Sequence, residues 1–268
     1  MLDAWPTDWT PDRTFAEARI GLSIRDDIGV LAFQIPDKMN ALDEPATAGM
    51  AEALEEAAGR VRALIVTGVG GRAFVSGANI AGFDEGPKNH GDTFIERQAL
   101  LRNFPAPTIA VIRGYCLGGG LMTALNCDFR LAGTDASFGV PAAKLGIAYG
   151  IDGLERLVEA IGPARARRLL YVGDRIDAET AFTWGLVEHL YAPDALWSAA
   201  TAMAGVIAAN APLSIEATKL TVAQITRDPA ARDLAAVDEA GRRCKGSADF
   251  SEGRAAFYEK RAPRFRGE

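Results

Sequence analysis

The segment Gly114-Tyr115-Cys116-Leu117-Gly118-Gly119-Gly120 sets three consecutive glycines between an apolar, strand-like run (Thr108 to Ile112) and a helix-like run (Leu121 to Leu125). Glycine lets the backbone come close to a ligand, because no Cβ stands in the way. The first N–H groups of a helix have no intrahelical acceptor and sit at its positive end. A turn of this kind can hold an oxygen on which negative charge develops. Two positions beyond the glycines, where a carboxylate could move protons beside such an oxygen, the chain has Met122. The competing reading of the glycines is tight packing of a helix against a sheet.

Two further stretches accompany this turn. Ala73-Phe74-Val75-Ser76-Gly77-Ala78-Asn79-Ile80 follows an apolar run through a glycine-rich turn, and alone it reads equally well as a loop of small residues. Asn126-Cys127-Asp128-Phe129-Arg130-Leu131-Ala132 leads to Ser137-Phe138-Gly139-Val140-Pro141 and Leu145-Gly146-Ile147, which alone is only a turn.

The elements that would position these turns alternate. Ile20 to Ile24 and Val30 to Ile35 read as strands of a hairpin through Asp26-Asp27. Pro45 opens a helix to about Ala58. Val61 to Thr67, Thr108 to Ile112 and Phe129 to Ala132 read as buried strands, and Phe94 to Asn103 as a helix. This order predicts βαβ units and a mostly parallel sheet. After about Ile161 the pattern turns helical. Helices are expected from Gly162 to Tyr171, over Asp177 to Trp184 with Asp177 as N-cap and Gly185 as stop, over Ala195 to Ala209 with Asp194 as N-cap, and over Leu213 to Thr226 and Pro229 to Arg243. The longest apolar run, around Tyr115 to Leu125, suits a buried helix.

Composition narrows the function classes. The chain has 268 residues, 49% hydrophobic and 24% charged, with net charge −6. An acidic chain is a poor nucleic-acid binder. Three cysteines, Cys116, Cys127 and Cys244, with no CxxC pair, argue for a reducing compartment rather than a disulfide framework. Only two histidines, His90 and His189, argue against a structural zinc site, so no metal is expected. Residues Met1 to Thr10 have no apolar core of a signal peptide, and no run reaches the roughly 18 apolar residues of a membrane span. A cytoplasmic protein with no membrane partner is expected.

Together, in this order and spacing, the three stretches resemble the crotonase superfamily, the enoyl-CoA hydratase/isomerase family. Lys38-Met39-Asn40-Ala41-Leu42 resembles that family's N-terminal K-x-N-A-L element, and Gly185-Leu186-Val187 its A-x-x-x-G-L-V segment. Asp249-Phe250, Glu252-Gly253 and Phe257-Tyr258-Glu259-Lys260-Arg261 resemble its C-terminal signature. The resemblance spans roughly residues 18 to 265. It implies an α/β crotonase fold of repeated ββα units over residues 1–195. It also implies a C-terminal helical trimerisation region over 196–268, and a homotrimer or dimer of trimers. The implied ligand is an acyl-CoA thioester, with coenzyme A part of the substrate and no separate cofactor. The backbone N–H groups of Ala78 and Gly119 would hold the thioester oxygen. Each such donor contributes roughly 3 kcal/mol to a developing enolate. Substrate contacts would fall on Lys38, Asn40, Ala41, Ser76, Asn79, Ile80, Gly118, Met122, Pro141 and Ala142, and Lys260 would reach the nucleotide end. Lys260 reads equally as a solvated surface charge.

The chain also departs from that family. Its hydratases use two glutamates, which fall on Met122 and Ala142, and the aspartate common after the first oxyanion residue is Asn79. Each positioned acid–base group contributes about 10²–10⁴-fold, so weak or absent hydration is expected. Asp152 is one replacement candidate, and its alternative role is capping a helix over Gly153 to Glu159. Tyr149 is another. Gly146-Ile147-Ala148-Tyr149 resembles the region where family decarboxylases place a tyrosine near the substrate carboxylate, although those enzymes often carry histidine where this chain has Ala78. Tyr149 also reads as a packed aromatic. Asp84, Glu85, His90 and Glu96 are further titratable groups near the expected pocket, or else a solvated acidic loop. Three functions remain open: a hydratase or isomerase with relocated acid–base groups, an acyl-CoA decarboxylase or hydrolase relying on the oxyanion hole and Tyr149, and an acyl-CoA-binding paralogue without catalysis.

Overall fold

The computed structural model describes residues 9–78 and 90–268. The chain opens with β1 (Arg13–Phe15), β2 (Ile20–Arg25) and β3 (Ile28–Phe33). Arg25 pairs with Ile28 across a two-residue loop, where Asp26 and Asp27 take φ of 50° and 63°. Short polar side chains tolerate this left-handed backbone, whose twist matches that of the strands. Helix α1 (Glu44–Ala57) follows, capped by Asp43, whose carboxylate accepts from the Ala46 N–H. Three strand–strand–helix units come next. They are β4 (Ala63–Gly68), β5 (Ala73–Val75) and α2 (His90–Arg102); β6 (Thr108–Ile112), β7 (Tyr115–Leu117) and α3 (Gly119–Leu125); β8 (Phe129–Gly133), β9 (Ser137–Gly139) and the short α4 (Ala142–Leu145). The remainder is α5 (Ile151–Val172), β10 (Ile176–Asp177), α6 (Ala178–Trp184), β11 (His189–Tyr191), α7 (Leu196–Ala209), α8 (Pro212–Ile225), α9 (Leu234–Gly246) and α10 (Ala248–Glu259).

In each unit the first strand joins one sheet and the second strand another. The large sheet runs β1-β2-β3-β4-β6-β8-β11, antiparallel to β3 and parallel beyond it. The small sheet runs β10-β9-β7-β5, parallel except at β10. Parallel strands buried on both faces read as continuous apolar runs. Leu64, Val66, Ala110 and Ile112 face the main core with Phe74, Cys116, Leu121 and Phe138. Ile65, Ile109, Val111 and Leu131 pack on the other face under Leu196, Trp197, Ala200 and Ala204 of α7. The ββα repetition expected from the resemblance is therefore present. Among the described residues no single helix is long and apolar enough to cross a membrane.

Several local expectations change. The apolar run Tyr115 to Leu125 is not one helix: Gly118, at φ 50° and ψ −118°, breaks it into β7 and α3. Asp194 does not cap α7, because Ala195 occupies that position with no side-chain cap bond. The helix expected at Gly162 is the second half of α5, and Gly162 (φ 75°) is the kink within it. Pro229 to Arg243 divides into a 3₁₀ turn, Pro229–Ala231, and α9, which Asp233 caps through the Ala236 N–H. Asp177 and Gly185 bound α6 as expected.

The C-terminal signature has a structural part. Asp249, buried at the start of α10, accepts from the N–H groups of Arg266 and Gly267. Glu252 accepts from the Arg264 N–H and from both terminal nitrogens of Arg261. The Arg261 guanidinium holds the Glu252 carboxyl at about 2, well below the usual carboxylate range. The final residues are thereby strapped along α10, and Arg62 ties the strap to the sheet by donating to Phe265 O at 3.1 Å.

Candidate functional site

The glycine turn lies where β7 passes into α3. Gly118 N–H donates to Gly139 O on β9 at 2.9 Å, and Gly118 O accepts from Met122 N–H at 3.1 Å. Between these two bonds, Gly119 N–H opens the helix as a first-turn donor without an intrahelical acceptor. The absence of side chains here is a packing requirement. A Cβ on Gly120 would fall 2.2 Å from Val75 O, so α3 could not lie this close to β5 with any other residue.

A second backbone segment meets the turn. Ser76 N–H donates to Met39 O at 3.1 Å and Leu42 N–H to Gly77 O at 2.8 Å, so residues 76–78 run beside the Lys38–Leu42 turn. Leu42 and Ala78 form an isolated parallel bridge. Among the described residues Ala78 N–H donates to no acceptor. A methyl built on Gly119 would sit 3.9 Å from Ala78 N, 3.3 Å from Leu42 Cδ1 and 3.5 Å from Phe94 Cζ. The backbones of Ala78 and Gly119 thus approach each other closely, with Leu42 and Phe94 as apolar walls beside Gly119.

Tyr149 reaches the turn at Gly118. A methyl on Gly118 would lie 3.5 Å from Tyr149 Oη. The ring packs on the main core and against Gly153, while the hydroxyl has no hydrogen-bond partner among the described residues. Burial pushes the phenol above its ordinary value of 10.0. It is therefore a proton donor at neutral pH and no base.

The other expected residues fall as follows. Met122 and Ala142 are buried members of the core and bring no ionisable group. Pro141, half-buried, is the N-cap of α4. Asp152 is exposed in the first turn of α5, where Gly150 and not Asp152 holds the N-cap position. Asn40 is buried, and its amide holds the turn together: Nδ2 donates to Val69 O and Ala73 O, and Oδ1 accepts from Ile35 N–H. Its side chain serves the scaffold, leaving only backbone of Lys38 to Ala41 for a ligand. Ser76 is half-buried and Lys38 exposed. Lys260 ends α10 in a left-handed conformation (φ 56°), exposed and without an ion pair among the described residues. Asn79, Ile80, Asp84 and Glu85 lie outside the described residues, as does the side chain of His90. Glu96 is exposed on α2. Cys116 and Cys127 are buried thiols, with burial pushing Cys127 up to about 12 and Cys116 higher still, so neither is a nucleophile.

Sequence reasoning did not find the walls, Leu42 and Phe94, nor a buried polar group beneath the turn formed by Gln98, Thr123 and Asn126. A threonine inside the apolar run Leu121 to Leu125 was the one available signal for the latter. At the opposite end of α3 from the glycines lies a cleft of about 580 Å³, lined by Leu125, Asp128, Arg156, Ile215 and Lys219 among others. There Lys219 Nζ binds Asp128 Oδ2 at 2.7 Å and Ala106 O at 3.0 Å, fastening α8 to the core.

Known proteins resemble this chain in architecture and sequence. The family model for enoyl-CoA hydratase/isomerase matches residues 23–268. A crotonyl-CoA hydratase of Syntrophomonas wolfei is 32% identical over 256 residues, covering 93% of this chain and 98% of the relative. An (E)-benzylidenesuccinyl-CoA hydratase of Thauera aromatica is 33% identical over 253 residues, covering 92% and 99%. The crystal structure of an enoyl-CoA hydratase/carnithine racemase from Magnetospirillum magneticum superposes with a TM-score of 0.88 at 34% identity, covering 93% of this chain and 96% of that one.

Proposed function

This chain belongs to the enoyl-CoA hydratase/isomerase family, and from that premise we propose that it binds an acyl-CoA thioester with the thioester oxygen between the N–H groups of Ala78 and Gly119. Chemistry at the α-carbon places negative charge on that oxygen as an enolate forms. Two fixed donors, at roughly 3 kcal/mol each, lower the barrier to it. The observation that carries the reading is the close approach of the Ala78 N–H segment to Gly119, with the Tyr149 hydroxyl beside Gly118.

The groups around that oxygen favour one reaction class. Met122 and Ala142 are apolar and Asp152 is exposed, while Tyr149 brings its hydroxyl to Gly118. Water addition needs a base, and a phenol with a raised pKa is a poor one. Loss of CO2 from a 2-carboxyacyl-CoA needs no base. The bond from the α-carbon to the carboxylate breaks, its electron pair passes to the thioester oxygen, and a proton then returns to the α-carbon. Tyr149 supplies that proton and recovers one from water. The apolar walls support this by desolvating the substrate carboxylate. The resemblance further implies a homotrimer or dimer of trimers. Exposed Phe257, Tyr258 and Leu234 on the C-terminal helices are apolar surface of the kind such an assembly covers.

A turnover panel tests the proposal. Crotonyl-CoA, a 3-enoyl-CoA and methylmalonyl-CoA are each assayed, with calorimetric binding of a non-reactive acyl-CoA alongside. Release of CO2 from methylmalonyl-CoA, with slow or absent hydration of crotonyl-CoA, is the expected result. Hydration at ordinary enzyme rates would overturn the assignment of Tyr149. Binding with no turnover of any of the three would favour a binding protein. The absence of binding would remove the acyl-CoA reading altogether.

A further inference from the structure

Beneath the glycine turn, half-buried Asn126 and buried Gln98 and Thr123 form a directed chain that the proposed chemistry does not use. Asn126 Nδ2 donates to Gln98 Oε1 at 3.2 Å and to Met122 O at 3.1 Å. Gln98 Nε2 donates to Thr123 Oγ1 at 2.9 Å, and the Thr123 hydroxyl donates to Gly119 O at 2.9 Å. Thr123 is fully buried and Gln98 is 4% exposed, in the seam between α2 and α3. From Asn126 through Gln98 and Thr123 the donors run one way, and the chain ends on the carbonyl of the residue whose N–H is proposed to bind the thioester oxygen. Hydrogen bonds arranged head to tail in a low dielectric strengthen one another.

The turn has a physical need for such a restraint. Gly118, Gly119 and Gly120 carry no Cβ, so their own sterics leave the backbone broad freedom. A donor lowers a barrier only when it is held in place before charge develops. Helix α2 can supply the anchor because it is fixed elsewhere: Arg97 donates to Thr47 Oγ1 and to Glu44 Oε1 of α1, each at 2.7 Å. The same helix carries Phe94, the wall against Gly119.

We infer that Gln98 and Thr123 are positioning residues that lock the backbone of Gly119 against α2, so that its N–H is aimed at the thioester oxygen. The inference rests on the proposed role of Gly119, and its test separates the two. A β-ketoacyl thioester such as acetoacetyl-CoA shows a near-ultraviolet enolate band when its oxygen is stabilised, so the band of the bound ligand reads the turn without any turnover. The band is measured with saturating acetoacetyl-CoA on the unaltered protein, Thr123→Val, Thr123→Ser and Gln98→Met. Thr123→Val and Gln98→Met are expected to bind the ligand while the enolate-to-ketone ratio falls about tenfold, the scale of one net hydrogen bond. Thr123→Ser, which keeps the hydroxyl, is expected to retain the band. A full band in Gln98→Met, or a loss in Thr123→Ser equal to that in Thr123→Val, would overturn the inference. If Thr123→Val does not fold, Gln98→Met against the unaltered protein decides alone. An unaltered protein that binds acetoacetyl-CoA without any band would instead overturn the role of Gly119 itself.

Discussion

Gly119→Pro is expected to lower turnover by about 10²–10³-fold, the cost of deleting one donor to a developing oxyanion. The substitution is chosen for what it leaves intact. Gly119 is the first residue of α3, where proline is well tolerated because that N–H takes no part in the helix. Gly118 lacks the Cβ that the proline ring would otherwise meet. The new Cβ would approach Leu42 Cδ1 at 3.3 Å, a contact the end of a flexible side chain can relieve. Steady-state kinetics on whichever substrate the panel identifies, with circular dichroism and a melting curve as the folding control, checks the expectation. Near-normal kcat in a folded Gly119→Pro protein would remove Gly119 from the chemistry.

Tyr149→Phe carries the second large effect. The ring keeps its packing against the main core and Gly153. The hydroxyl has no partner among the described residues, so its removal should leave stability within about 1 kcal/mol. If Tyr149 returns the proton to the enolate, kcat should fall by about 10²-fold or more with little change in KM. The pH profile of the unaltered protein gives an independent check. Burial raises the phenol above 10.0, so the donor form persists through neutral and mildly alkaline pH. Activity should therefore hold through mildly alkaline pH and decline only above the ordinary range of a phenol. A Tyr149→Phe protein with unchanged kcat, or a profile already falling near neutrality, would transfer the role to another group.

The fold was more legible in the sequence than the site. Stretches such as residues 63–66 and 109–112 are continuous apolar runs, because parallel strands covered on both faces show little polar side. The strands of the small sheet are three residues or fewer, too short for any period, and they exist through pairing with each other across long separations. The glycine turn announced itself by composition. Its neighbour Tyr149 did so only through the resemblance, because the path from Gly119 to Tyr149 runs through β8, β9 and α4 and no local pattern encodes that return. Asn40 shows the opposite error: a residue expected at the ligand is a buried amide whose hydrogen bonds bind its own turn to both ends of the β4–β5 turn. Asp152, expected as a cap or a pocket acid–base, lies two residues past the cap because Gly150, with extended backbone, takes that position without a side chain.

The central claim, a thioester oxygen held by Ala78 and Gly119, is tested most directly by the infrared carbonyl stretch of a bound acyl-CoA labelled with ¹³C at the thioester carbon. The account predicts a band shifted to lower frequency on binding, because two donors draw electron density onto the oxygen. In Gly119→Pro most of that shift should be lost while the ligand still binds. A bound thioester whose carbonyl absorbs at the frequency of the free ligand in water, or one whose shift survives in Gly119→Pro, would contradict it.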